Sequence, residues 1–165
     1  LPISVIDNDK NTSAQSVAEV KTGHAHTALV RPDGTVWTWG KNESEQLGDG
    51  SATNRFFPVQ VDAANARAMD QTTGVNEHGE TITVLTNIAS VAVGGNHTLA
   101  LTRDGYVYAW GANDRGQVGN GANINLAGSQ IAKLGLVVLG AQAPGAPGTD
   151  AETYLHDIVA IAAGY

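Results

Sequence analysis

A phrase of 28 residues (50 − 23 + 1) is written twice in this chain, and that fact constrains the fold more than any local propensity. Residues 23–50 read GHAHTALVRPDGTVWTWGKNESEQLGDG, and residues 94–121 read GGNHTLALTRDGYVYAWGANDRGQVGNG. Gly23 pairs with Gly94, His26 with His97, Gly34 with Gly105, Trp39 with Trp110 and Gly40 with Gly111. Asn42 pairs with Asn113, Gln46 with Gln117 and Gly48 with Gly119, every pair at an offset of 71 (97 − 26). A unit repeated in phase over this length cannot bury its apolar face alone and must stack on its neighbours.

Each copy reads as a β-hairpin. HTALV and HTLAL are first strands, Asp33-Gly34 and Asp104-Gly105 mark the turns, and TVWTW and YVYAW return. Asp-Gly between apolar runs is a strong hairpin signal, since glycine accepts positive φ without a Cβ clash. Alternation in the return strands puts Trp37 with Trp39, and Tyr108 with Trp110, on a large face. Val36 with Thr38, and Val107 with Ala109, take a small face. Neither face is charged, which predicts sheets covered on both sides by other sheets.

The flanks extend the frame. VAEVKTG at 17–23 matches IASVAVG at 88–94 and IVAIAAG at 158–164; such short β-branched runs ending in glycine predict strands buried on both faces. The Pro-containing phrases at 1–5 and 56–61 predict outer strands, where a missing N–H is tolerated. Residues 7–16 read as a loop. On this reading the repeat cores are 17–61 and 88–121, a third repeat begins at 158–165, and 62–87 and 122–157 are insertions. The first insertion holds an extra hairpin around GVNEHGETITVL. The second holds an apolar stretch, IAKLGLVVLG, followed by AQAPGAPGTD.

The phrase with Gly94, His97, Thr98, Asp104-Gly105, Trp110-Gly111, Asn113, Gln117, Gly119 and Gly121 resembles the regulator of chromosome condensation repeat. The first copy departs from it at Ser44-Glu45, which stands where the second has Arg115-Gly116. The resemblance implies an all-β fold, blades of a β-propeller, with residues 1–165 a partial propeller open at both ends. It also implies a scaffold whose relatives work as protein-binding surfaces. Two blades cannot close a ring, so the chain is expected to be part of a larger ring or an assembly.

The chemistry-bearing residues fall largely within this frame. His26 and His97 recur in phase and are expected to be structural and hydrogen-bonded inside a blade, whereas His24 has Gly95 as its counterpart and no third metal ligand at useful spacing. The Gly-rich loops after Trp39 and Trp110 lack the Gly-Lys-Ser/Thr ending of a phosphate loop, so they read as blade turns. Asp33 and Asp104 are turn residues, and no nucleophile elbow is present. The expectation is therefore no catalytic, cofactor or metal residues. Asp7, Asp9 and Asn11 open like a calcium loop but lack its Gly and Glu.

Composition sharpens the exclusions. Nine Lys and Arg against sixteen Asp and Glu, net charge −7, argue against nucleic acid, which needs clustered cations. The chain has no cysteine, and no apolar run reaches a membrane-spanning length. Few lysines beside much Asn, Thr, Ala and Gly suggest a secreted or cell-surface bacterial protein. The functional expectation is a non-enzymatic binding module whose insertions make the contacts. On that expectation, deleting 62–87 leaves the frame folded and removes binding to an unknown protein partner. The alternative is a self-associating structural subunit that uses its open strand edges.

Overall fold

The computed structural model describes residues 19–76, 78–121, 131–138 and 154–164. The strand expected at 1–5 and the loop at 7–16 lie outside the described residues. Among the described residues, ten strands form two four-stranded antiparallel sheets and one two-stranded sheet. Blade one runs β1 (Glu19–Thr22), β2 (His26–Val30), β3 (Val36–Gly40), β4 (Arg55–Gln60) in that spatial order. Blade two runs β7 (Ile88–Val93), β8 (His97–Thr102), β9 (Val107–Ala112), β10 (Ile131–Leu136). Between them in sequence, β5 (Gln71–Val75) and β6 (Thr81–Leu85) form the extra hairpin expected in the first insertion.

Each Asp-Gly hairpin closes on a wider turn than two residues. Arg31 N–H donates to the Thr35 carbonyl at 2.9 Å and Gly34 N–H to the Arg31 carbonyl at 2.8 Å, leaving three residues at the tip. Only the glycine is left-handed, Gly34 at φ +84° and Gly105 at φ +87°. The aspartate keeps negative φ, as a type I turn followed by a bulge requires.

The apolar stretch expected to belong to the 122–157 insertion is instead the fourth strand of blade two. β10 pairs with β9 through Ala132↔Gly111, as β4 pairs with β3 through Arg55↔Gly40, and a bulge follows at the same place in both. The offset here is 77 (132 − 55) rather than 71, so a six-residue insertion precedes β10. That shift, and the lack of shared words between RFFPVQ and IAKLGL, hid the strand.

The two blades stack face to face. The small face of blade one, with Ala28, Val30 and Val36, packs on the large face of blade two, with Tyr108 and Trp110. Tyr108, Trp110 and Ala109 are all fully buried, so β9 is covered on both sides as expected. In blade one Val36 and Thr38 are buried, but Trp37 and Trp39 are only half-buried, because they face away from blade two. The Gly-capped runs divide likewise. β7 lies between β1–β2 and the segment 158–164 and is mostly buried, whereas β1 is exposed and 158–164 forms no strand. Burial on both faces needs a neighbour on both sides, and of these three runs only β7 has that among the described residues.

One departure from the repeat carries strain. Glu45 sits at φ +54° where its counterpart Gly116 sits at φ +75°. Left-handed backbone crowds a Cβ, while glycine costs some extra chain entropy in the unfolded state. Glu45→Gly is expected to stabilise the chain by about 1 kcal/mol, read as a higher urea midpoint at unchanged slope.

Candidate binding surface

The residues singled out by the repeat are joined by hydrogen bonds and close contacts that build the frame. The Gln46 carbonyl accepts from Trp110 Nε1 at 2.9 Å and from Thr98 Oγ1 at 2.8 Å, both across the blade interface. Thr98 Oγ1 also meets His26 Nε2 at 2.9 Å. His26 is thus hydrogen-bonded between blades, not inside one as expected; its ring points from the small face of blade one into the contact. His97, at the corresponding place on blade two, is half-buried beside Gly94.

The loops are held by their own amides. Asn42 is fully buried: its Oδ1 accepts from Leu47 N–H at 2.9 Å, and its Nδ2 donates to Asp49 Oδ1 at 2.9 Å and the Ser51 carbonyl at 2.8 Å. Asn113 Oδ1 accepts from Val118 N–H at 3.1 Å in the second copy. Gln46 Oε1 accepts from Ser44 N–H, and Gln117 Oε1 from Arg115 N–H. Gly48, at φ +71°, lies so close to the Trp110 indole that a Cβ would fall 2.8 Å from Nε1. Gly23 packs in the same way against the Gly94 backbone. Gly40, Gly111 and Gly119 hold positive φ.

Burial pushes the His26 imidazole down to about 4, assisted by the nearby His97. His97 is lowered by burial as well. A histidine kept neutral in the fold binds its proton more readily once the chain unfolds. The stability it supports is therefore present above pH 6.5 and is lost as pH falls from there toward 4. The expected loss for His26 is on the order of 3 kcal/mol across that window, and His26→Asn should flatten the pH dependence of the urea midpoint.

The non-repeating residues 62–87 are woven into the fold more deeply than the sequence suggests. Ala63, Val84, Leu85 and Asp70 are buried. Asp70 Oδ2 accepts from Arg67 Nε at 2.6 Å and from the Tyr108 hydroxyl at 2.8 Å, and Oδ1 accepts from Asn87 Nδ2 at 2.8 Å. Arg67 also grips both oxygens of Asp104, at 3.0 and 2.9 Å, and stacks over the Tyr106 ring at 3.9 Å. Burial alone would lower Arg67, but the hydrogen bonds to Asp70 and Asp104 hold it above its usual range. Burial and the adjacent Asp70 raise the Tyr108 hydroxyl. Asp104 is held low by Thr102 and Arg67 against the effect of its burial. Deleting all of 62–87 would therefore unravel the core, contrary to the expectation above. Only the hairpin tip is separable.

That hairpin leaves a groove of about 430 Å³ between itself and β4. Phe57, Pro58, Val75 and Ile82 supply apolar walls, with Trp37 at one side and the Asp49–Arg55 ion pair (2.6 Å) at another. Phe56 is 96% exposed, Phe57 53% and Val75 61%. A Cβ at Gly74 would meet Val84 Cγ1 at 2.7 Å and the end of the Gln60 side chain, so the hairpin lies close against β4 there. Among the described residues, no group of three or more His, Cys, Asp or Glu converges, and no helix is long and apolar enough to cross a membrane.

Models of the regulator of chromosome condensation (RCC1) repeat match residues 17–46 and 88–117, again 71 apart (88 − 17), and a second model matches 33–101 and 104–132, well over half of the chain. The chain belongs to the RCC1 repeat family. Over 118 residues it is 33% identical to the E3 ubiquitin-protein ligase HERC2 of Homo sapiens, covering 72% of this chain and 2% of that protein. Over 104 residues it is 36% identical to the X-linked retinitis pigmentosa GTPase regulator homolog of Caenorhabditis elegans, covering 63% of this chain and 6% of that protein. Protein RCC2 of Mus musculus is 36% identical over 97 residues, 59% of this chain and 15% of that protein.

Among solved structures, yeast RCC1 (Prp20) bound to Kap60 superposes with a TM-score of 0.52 at 23% identity, over 78% of this chain and 24% of that one. Human WBSCR16 gives 0.51 at 21% identity, over 72% and 24%. These two likenesses show the propeller-blade fold. The RCC1 segment therefore spans a small part of the proteins it resembles. These relatives are eukaryotic, and the bacterial source expected from composition draws no support from them.

Proposed function

We propose that this segment is a non-enzymatic protein-interaction module, with the β5–β6 hairpin and the groove beside it as its contact surface. The observation that carries the reading is a contrast within the chain. The repeated polar and aromatic residues are largely joined by frame-building contacts, while the non-repeating hairpin is anchored at its base, exposes Val75 and faces the exposed Phe57 of β4 across the groove. Relatives named as a GTPase regulator homolog and as a ubiquitin ligase are consistent with a scaffold that recognises other proteins. No catalytic role is assigned. An extracellular or surface location rests on composition alone, and fractionation of the source cells tests it.

The test is replacement of residues 74–82 by a short Gly-Ser link in the intact protein, which spares Asp70, Val84 and Leu85. Folding by circular dichroism should be retained while capture of specific partners is lost. Unchanged capture by a folded variant would sink the proposal. A second reading, self-association, is favoured by the half-buried Trp37 and Trp39 on the outer face of blade one. Light scattering that shows only monomer at all concentrations rules it out.

A further inference from the structure

The groove itself narrows the class of partner, and this inference rests on the interaction reading above. Two features decide how an occupant could enter. Val61 N–H donates to the Val36 carbonyl, but β4 carries a bulge between Val59 and Arg55, so its outer edge does not offer a regular row of N–H groups. Pro58 lies within that irregular stretch, and proline has no N–H to offer. Strand addition along this edge is therefore interrupted, and recognition must come from side chains entering the groove.

His78 lines the groove beside Asp49 and Arg55, and the arginines around it are paired. Arg55 is paired with Asp49, whose side chain is nearly buried. Arg67, the one Lys or Arg in residues 62–87, is held by Asp70 and Asp104. On the hairpin tip Glu80 is exposed, its Oε2 accepting from Asn76 Nδ2 at 2.7 Å. The chain as a whole is at −7. Arg31, over the groove-lining Trp37 ring at 5.7 Å, stands 4.0 Å from Asp33. Each arginine near the groove thus has a carboxylate beside it, while Glu80, bonded to the groove-lining Asn76, is presented to solvent.

We infer that the β4–β5 groove takes an unstructured protein segment in which large apolar side chains are flanked by Lys or Arg. The apolar residues sit against Phe57, Val75 and Ile82, and a basic flank meets Glu80. Burial of the apolar residues supplies affinity, and the charges set orientation and association rate.

The probes are three fluorescein-labelled peptides titrated into the intact protein by anisotropy: a Leu-Phe centre with Lys/Arg flanks, the same centre with Glu flanks, and a Ser-Ser centre with Lys/Arg flanks. The first should bind about tenfold or more tighter than either of the others, with affinity falling as salt rises. Phe57→Ser and Val75→Ser, both at exposed positions, should each weaken it about fivefold while leaving circular dichroism unchanged, and Glu80→Lys should weaken it and remove the salt dependence. Equal binding of the three peptides, or variants that bind like the parent, would overturn the inference. Peptide binding lost on replacing 74–82 but kept in Phe57→Ser overturns the groove while leaving the hairpin reading intact. A concentration-dependent dimer dissolved by Phe57→Ser also overturns it, since a second copy then fills the groove.

Discussion

Trp110→Ala is expected to cost about 3–5 kcal/mol, a large share of the roughly 5–15 kcal/mol that stabilises a typical domain, whereas Trp39→Ala should cost much less. The two tryptophans hold the same place in their repeats, yet Trp110 is fully buried between blades and Trp39 is half-buried on an outer face. Removing Trp110 empties the centre of the interface, leaves Gly48 without the ring packed against it, and takes one donor from the Gln46 carbonyl. Urea denaturation of both variants measures the contrast. Equal losses would mean that the blade interface is not where the chain's stability is concentrated.

The second large effect is at Arg67. Arg67→Ala should destabilise by about 3–5 kcal/mol, because it strips the cation from a carboxylate with no solvent exposure. Tyr108 and Asn87 still donate to Asp70, but neither carries a compensating charge. Combining the change with Asp70→Asn should recover part of the loss, since the buried charge is then gone. A double variant as unstable as the sum of the singles would show that the ion pair is not the cause. Asp104 is partly exposed and contributes less, as an accessible ion pair does.

How far the sequence carries can be judged from these same residues. The hairpins, their glycine turns and the stacking of blades follow from the phase of the repeat, because the turn glycines and the loop amides meet the same local partners in each copy. Strand β10 escaped because an outermost strand meets few neighbours, so its words drift and a short insertion shifts its frame. The buried Asp70 escaped because a single acid in a non-repeating stretch has no counterpart to expose its role. One signal for it does exist: blade two carries Tyr108 where blade one carries Trp37, and a hydroxyl on a buried face needs a partner. Trp39 and Trp110 cannot be separated by sequence at all, since burial depends on which blade stands beside them.

The carbonyl of Gln46 has a consequence for how this interface can change over generations. Its two donors, Thr98 and Trp110, are side chains and can be lost in one substitution each. The acceptor is main chain, and no change of residue type at position 46 removes it. One half of the contact is therefore written in side chains while the other is written in loop shape. Drift on the donor side should be purged residue by residue. Drift on the acceptor side is tolerated wherever the loop keeps its course, and Asn42, which holds that loop from within, becomes the position whose loss the interface would feel.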